Sequence, residues 1–280
     1  DLVRSRGLGD VYKRQPFVTA YTSAGVQRFA TRVDAKPCGT CFAGSVQVDD
    51  TDGAIWMTAL RFSGGQNLPS RLFRLDTNGT ITATQDLPVG IAKGGMRYGG
   101  GRLAFVANQL AAGFTQTATG NDLGVIMLDR NGAEVWRRQY PSPVPGLRGI
   151  VGGLDFDASG NLYVATGARD QSTTWIRKID PSGTTVATFM ILATPPGWLA
   201  VHGSHFVHSA KVLGRYATLD GAPAWTYPFV SSTTEALAVD SQGSFYLGSS
   251  PSLIQLNIAP YLGGSADMSV WKVSAAGTLE

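Results

Sequence analysis

The feature that most constrains this chain is a series of turn glycines, at positions 25, 53, 79, 101, 132, 160, 183, 203, 221, 243 and 277. Each closes a short polar turn between two apolar runs, and two kinds of hairpin alternate along the series. In the first, Gly is followed after one residue by an apolar–aromatic–apolar triplet, as in Asp50–Met57, Asp157–Val164 and Asp240–Leu247, with looser copies at Gly101–Phe105 and Gly203–Val207. An Asp three residues before Gly caps a type I turn with its carboxylate, and Gly supplies the positive φ that ends it. The strand that follows is apolar on both faces, which suits a strand held between two neighbouring sheets.

In the second kind an apolar residue and usually Asp enter the turn, and a more polar strand leaves it. Examples are Leu75–Gly79, Leu128–Gly132, Ile179–Gly183 and Leu219–Gly221; Tyr21–Gly25 and Val273–Gly277 lack the Asp. Composition excludes the helical alternatives. Only three glutamates and six lysines occur in 280 residues, against 35 glycines and 14 prolines, so the residues that fill exposed helix faces are nearly missing. Ordinary apolar content and a net charge of +3 argue against disorder. The longest apolar stretch, Val186–Ala193, is far too short to span a bilayer as a helix.

One hairpin of each kind makes a four-stranded unit of about 40–55 residues, the period of a β-propeller blade. The spacing predicts an all-β propeller over residues 16–280, with five blades and a leading half-blade at Pro16–Val33. The half-blade supplies only an outer hairpin. The expectation is therefore a fragment of a ring of six to eight blades, seven being the preferred number. Alone, the chain should form a curved fan or a six-position ring with one thin blade.

The units Leu154–Val164 and Tyr261–Gly277 resemble the repeats of bacterial secreted and cell-surface β-propellers, in which a D-x-x-G-N-x-Y-V hairpin alternates with a G-G-S-x-D…W-x-K-x-x-x-x-G hairpin. Leu128–Trp136 and Leu219–Trp225 are similar to the outer hairpins of quinoprotein-type blades. The resemblance implies a fold and an exported location (extracellular, cell-surface or periplasmic), and it transfers no catalytic residue. Segment Asp1–Gln15 stands apart: it lacks the repeat pattern, and its string RGLGDVYKRQ resembles translated adapter read-through at the ends of metagenomic reading frames. It carries four basic and two acidic residues, so without it the net charge falls to +1. The apparent basicity therefore gives no reason to expect a nucleic-acid partner.

Several constellations invite chemistry and have simpler readings. His202, His205 and His208 are spaced by three, but on a strand that spacing puts neighbours on opposite faces. His205 aligns with Ile55, Leu103, Leu162 and Phe245, so a hydrogen-bonded core histidine is expected there rather than a metal ligand. Cys38 and Cys41 are the only cysteines; they lack the His that haem attachment needs and a second pair for structural zinc, which leaves a small loop disulfide as the expectation. Asp49, Asp50 and Asp52, and Asp155, Asp157 and Ser159, could offer oxygen ligands to calcium, but the D-x-D-x-D-G run with a downstream carboxylate is missing, and turn capping accounts for them. Gly90–Gly101 is read as an inner strand needing small residues. Trp136, Arg137, Arg138 and Arg148 are read as an outer strand and a connection, and Asn78–Thr80 is a lone glycosylation sequon.

The functional expectation is a non-enzymatic exported propeller used for binding or as a structural module, with no cofactor and no metal. Its partner would be a protein or a glycan at a rim carrying the variable loops Ala107–Gly124, Gly248–Ser269, Ala59–Ser70 and Gly167–Thr174. The alternative is a propeller enzyme, such as a quinoprotein-like dehydrogenase, a lyase or a hydrolase. Deleting Asp1–Gln15 should leave the melting temperature within about 2 °C, because a segment foreign to the repeat contributes well under ~1 kcal/mol. A loss of several degrees in a thermal scan would make the segment part of the fold.

Overall fold

The computed structural model describes residues 16–22, 24–33, 40–49, 51–63, 66–90, 102–106, 109–115, 123–141, 149–168, 172–192, 195–210, 212–228, 234–249 and 269–280. Twenty-one strands form six antiparallel sheets among them. Strands β1 (Phe17–Tyr21) and β2 (Gln27–Arg32) make a two-stranded sheet. Four complete blades follow: β3–β6 (Thr40–Val48, Ile55–Ser63, Gln66–Leu75, Ile81–Gly90), β7–β10 (Arg102–Val106, Gln109–Thr115, Leu123–Asp129, Glu134–Tyr140), β11–β14 (Gly149–Phe156, Leu162–Ala168, Thr173–Ile179, Thr185–Leu192) and β15–β18 (Trp198–His202, His205–Ser209, Val212–Ala217, Pro223–Pro228). The fifth has three strands, β19 (Thr234–Val239), β20 (Phe245–Ser249) and β21 (Ser269–Val273). The blades stand in a ring with their first strands innermost, and the fold is the β-propeller that the glycine series predicts.

Ten of the eleven turn glycines have positive φ, and Gly101 lies outside the described residues. Asp76, Asp129, Asp157, Asp180 and Asp240 each accept backbone N–H bonds at 2.8–3.0 Å from the residues two and four positions on. The turn at Gly53 is one residue wider: its N–H reaches the Asp49 carbonyl, and Asp49 and Asp52 cap it, while Asp50 lies outside the described residues.

The blades pack face to face through apolar clusters drawn from neighbouring sheets. Trp56 and Leu72 of one blade meet Leu110, Ile126 and Leu128 of the next. Tyr163, Ile176 and Phe189 meet Phe206 and Tyr216, with the Phe206 and Tyr216 rings stacked at 5.3 Å. The outer rim adds a repeated polar clamp. Trp136 Nε1 donates to the Pro181 carbonyl at 3.0 Å, Trp225 Nε1 to that of Ala275 at 3.2 Å, and Arg28 to that of Thr77 at 3.1 Å. All three acceptors lie two residues before an outer-turn glycine. The glycines themselves lie against the preceding sheet's last described strand: Gly79 on Phe29, Gly132 on Gln85, Gly183 on Trp136 and Arg138, Gly221 on Phe189, and Gly277 on Trp225. The Gly79–Phe29 contact fixes β1 and β2 as the outer half of a sixth blade position.

Two parts of the sequence reading are corrected. Leu103 lies on β7, the innermost strand of its blade, and the second strand is β8, so the unit read from Gly101 is one strand out of step. Leu110, Ala111 and Ala112 on β8 are all below 2% exposed, and this run of small apolar residues fits the sandwiched position better than the more distant alignment on Gly101. Gly90 ends β6, and the rest of the inner strand expected at Gly90–Gly101 lies outside the described residues. Three of the four variable segments also contain strand. Residues 109–115, 59–63, 66–70, 167–168 and 173–174 belong to β8, β4, β5, β12 and β13, because the hairpins run well beyond their turns; residues 250–268 lie outside the described residues.

The clamp predicts a graded cost. A Cβ on Gly183 (φ +86) would come within 3.1 Å of the Trp136 ring and the Arg138 guanidinium, whereas one on Gly203 (φ +57) meets nothing within 4 Å. Gly203→Ala should therefore cost about 1 kcal/mol of backbone strain, and Gly183→Ala about 2–3 kcal/mol, as read by urea unfolding. Equal costs would mean that the outer turn is not seated on its neighbour.

Candidate functional site

The innermost strands carry unusually small residues because their backbones approach one another closely. A Cβ on Gly153 would lie 2.5 Å from the Leu199 nitrogen, and one on Gly152 2.6 Å from that of Gly197. β11 and β15 are thereby drawn together around an axial cavity of about 240 Å³. Four inner strands line it: β3 with Ser45 and Gln47, β11 with Gly153, Leu154 and Asp155, β15 with Trp198, Leu199 and Ala200, and β19 with Leu237, Ala238 and Val239. Its polar side chains are thus a carboxylate, an amide, a hydroxyl and an indole, set among strand backbone.

Asp155 is the ionisable group of this cavity. One carboxylate oxygen accepts from the Phe156 N–H at 2.9 Å and the other from Val201 N–H at 2.8 Å, so the side chain joins β11 to β15. Burial raises its pKa from the usual carboxylate value to about 6, and the two N–H bonds work in the opposite direction. Sequence reasoning weighed Asp155 only as a calcium ligand. The signal that could have singled it out is a carboxylate within an otherwise apolar inner strand, before the turn itself begins at Asp157.

The other acids are engaged in the scaffold. Asp49 is fully buried and forms a two-pronged contact with Arg130 of the next blade at 3.0 and 3.1 Å. Asp52 pairs with Arg74 at 2.7 Å, and its Ala54 N–H bond holds its pKa below the usual value. Asp157 accepts from Ser159, Asn161 and, at 3.7 Å, faces Lys178. Among the described residues no three His, Cys, Asp or Glu side chains stand close enough to hold a metal ion. Trp136 and Arg138 form the rim clamp, Arg137 pairs with Glu134, and Arg148 lies outside the described residues. Asn78 is exposed in its turn.

The histidines are separated, and the core position is not the one expected. His205 is half-buried, its Nδ1 within 3.2 Å of Arg215 and 3.1 Å of Ser204 Oγ; burial, with the help of that cation, lowers its pKa. His202 lies against Gly243 of the next blade. His208 is the core histidine, fully buried, with Nε2 accepting from Gly197 N–H at 3.0 Å. The alternation on β16 turns His208 inward and leaves His205 at the strand end beside the turn. Cys41 is buried in the cluster of Val18, Met57 and Phe73; Cys38 lies outside the described residues.

No family model matches the chain, and no curated protein matches it. Solved structures do. A chain in the crystal structure of a mitotic checkpoint complex aligns over 95% of this chain and 71% of its own length, at 14% identity and a TM-score of 0.59. A Bacteroides caccae protein of unknown function aligns over 66% of this chain at 13% identity and a TM-score of 0.47, and BamB from Moraxella catarrhalis over 94% at 13% and 0.42. This chain spans 63% of the length of the Bacteroides protein. At 14% identity the likeness to the checkpoint-complex chain shows the fold alone.

His208 and Asp155 give opposite pH dependences. Burial lowers the His208 pKa from 6.5 to about 3, so as pH falls below 6.5 the unfolded chain takes up a proton that the folded chain refuses, and stability drops. Asp155 acts the other way: between about pH 6 and pH 4 the folded chain holds a proton that the unfolded chain lacks, so its contribution grows as pH falls and is lost as pH rises through 6. His208→Gln should therefore be less stable than the parent at pH 7, and the gap should narrow toward pH 4 by up to ~1.4 kcal/mol per unit. Parallel urea-midpoint curves for the two proteins would contradict this account.

Proposed function

We propose that this chain is a non-enzymatic binding module of an exported protein, taking a polar group of a glycan or protein ligand into the axial cavity. The observation that carries the reading is the makeup of that cavity. An indole for stacking and an amide and a hydroxyl for hydrogen bonds are groups with which a concave site recognises hydroxyl-rich or amide-rich chemistry. They come from β3 and β15, with β11 and β19 completing the lining. The remaining described acids hold turns and blade boundaries, which fits a scaffold whose polar groups are committed to structure. The exported location rests on the repeat resemblance of Leu154–Val164 and Tyr261–Gly277.

One observation favours the catalytic alternative. Asp155, with its pKa pushed up to about 6 inside a cavity, has the properties of a general acid or base. Its two backbone hydrogen bonds serve equally well to join β11 to β15, and this structural role is the one adopted here. The readings separate on purified protein. Elemental analysis and absorbance should show neither stoichiometric metal nor quinone. On a glycan array or against an extracellular protein panel, Trp198→Ala should weaken any captured ligand at least tenfold while leaving the melting temperature within a few degrees. Stoichiometric metal or quinone, or turnover lost on Asp155→Asn, would establish the enzyme instead.

A further inference from the structure

The axial cavity has charge of one sign only. Among the described residues its lining contains one carboxylate, Asp155, and no lysine, arginine or histidine. The acids elsewhere have a cation or a turn to hold. Asp49 faces Arg130, Asp52 faces Arg74, Asp86 faces Arg61 and Arg71, and Asp157 faces Lys178. Asp76, Asp129, Asp180 and Asp240 cap turns. Asp155 does neither. Its partners are two backbone N–H groups, and no cationic side chain offsets the burial that opposes its charge.

The carboxylate stands where a ligand can reach it. β11 and β15 each pair on one side only, with β12 and β16, and the N–H groups of Phe156 and Val201 go to Asp155 rather than to those ladders. The bridge therefore lies along the inner edges of the two strands, facing the axis. Asp155 keeps accessible surface between buried Leu154 and Phe156, as do Ser45, Gln47 and Trp198 around the same cavity. Each carboxylate oxygen accepts one bond and has a second acceptor position left, so holding β11 to β15 and meeting a ligand are compatible. At about 240 Å³ the cavity is smaller than the roughly 300–1,000 Å³ of a small-molecule pocket, so it takes one residue of a longer ligand.

We infer that the axial cavity is selective for a glycan residue carrying a free, protonated amine, an amino sugar, with Asp155 as counter-ion to the ammonium. The inference rests on the binding-module reading above and narrows it to one ligand chemistry. The ammonium supplies the cation that Asp155 lacks, in a site where charges are weakly screened. The Trp198 indole offers a face to the sugar ring and to the cation. The Gln47 amide and the Ser45 hydroxyl serve the ring hydroxyls. A lysine side chain brings the same charge on a chain of methylenes and makes no use of that amide and hydroxyl, so the polar lining favours the sugar.

Calorimetric titration of the full 280-residue chain at pH 7, where Asp155 is ionised, tests this with a short β-1,4-glucosamine oligomer and its N-acetylated twin. The free-amine oligomer should bind saturably and at least tenfold more tightly than the acetylated one. Asp155→Asn should remove that preference. Ala238 lies on the cavity wall contributed by β19, exposed and outside the Asp155 bridge. Ala238→Glu should tighten binding of the free-amine oligomer and Ala238→Lys weaken it, each at least threefold, and this pair decides should Asp155→Asn fail to fold. Equal binding of the two oligomers would overturn the inference while leaving the glycan-binding reading in place. Binding of neither would overturn both. Ala238 variants that shift affinity in the same direction would overturn the charge selection, as would tighter binding of a lysine-containing peptide than of the glucosamine oligomer.

Discussion

The structure depends on one repeated contact, the seating of each outer turn on the last strand of the sheet before it. A sandwiched blade gains most of its stability from apolar faces, and apolar contact has little directional preference. Ridges of Leu, Ile and Val would tolerate many angles between blades. A turn glycine pressed against Trp136 or Trp225, with that indole hydrogen-bonded to the carbonyl two residues before the glycine, allows only one. The glycine serves twice at these points: its positive φ closes the turn, and its lack of a side chain admits the neighbour's ring.

How far the sequence could be read follows from which constraints are local. A turn is determined within five residues, so Asp76, Asp129, Asp157, Asp180 and Asp240 and their glycines were legible with their capping roles, and the blade period followed from their spacing. Gly101 misled because a glycine-rich run resembles a turn, while the two-residue connection at 107–108 has no glycine to mark it. Pairing between blades is not local at all. Asp49 and Arg130 lie 81 residues apart, and nothing in either neighbourhood announces the contact. The acidic loop at Asp49–Asp52 therefore read as a possible cation site, although arginines from the next blade and the next strand neutralise it.

The histidines illustrate a similar limit. The sequence established that three-residue spacing on a strand divides His205 from His208, but which one faces the core depends on where the turn leaves the strand. Gly203 closes its turn so tightly that His202 and His205 are cross-strand partners, and the inward position passes to His208. Asp155 was hidden for another reason. It lies two residues before a turn-capping Asp157 in an acidic run, and only the approach of β15 turns one of those acids into a buried bridge between strands.

The outer clamps and the axial cavity are parts of one mechanical system. The cavity takes its lining from β3, β11, β15 and β19, so its shape is a function of the angles between blades rather than of any one blade. Those angles are set at the rim by the seated turns, and at the axis by the Gly152–Gly197 and Gly153–Leu199 approaches with the Asp155–Val201 bond. Between the third and fourth blades both devices are present: Gly221 seats on Phe189 outside, and Asp155 holds β15 inside. A small rotation there would move Trp198 relative to Asp155 and change the shape of the cavity between them. Rigidity at this boundary is therefore what a preformed site requires.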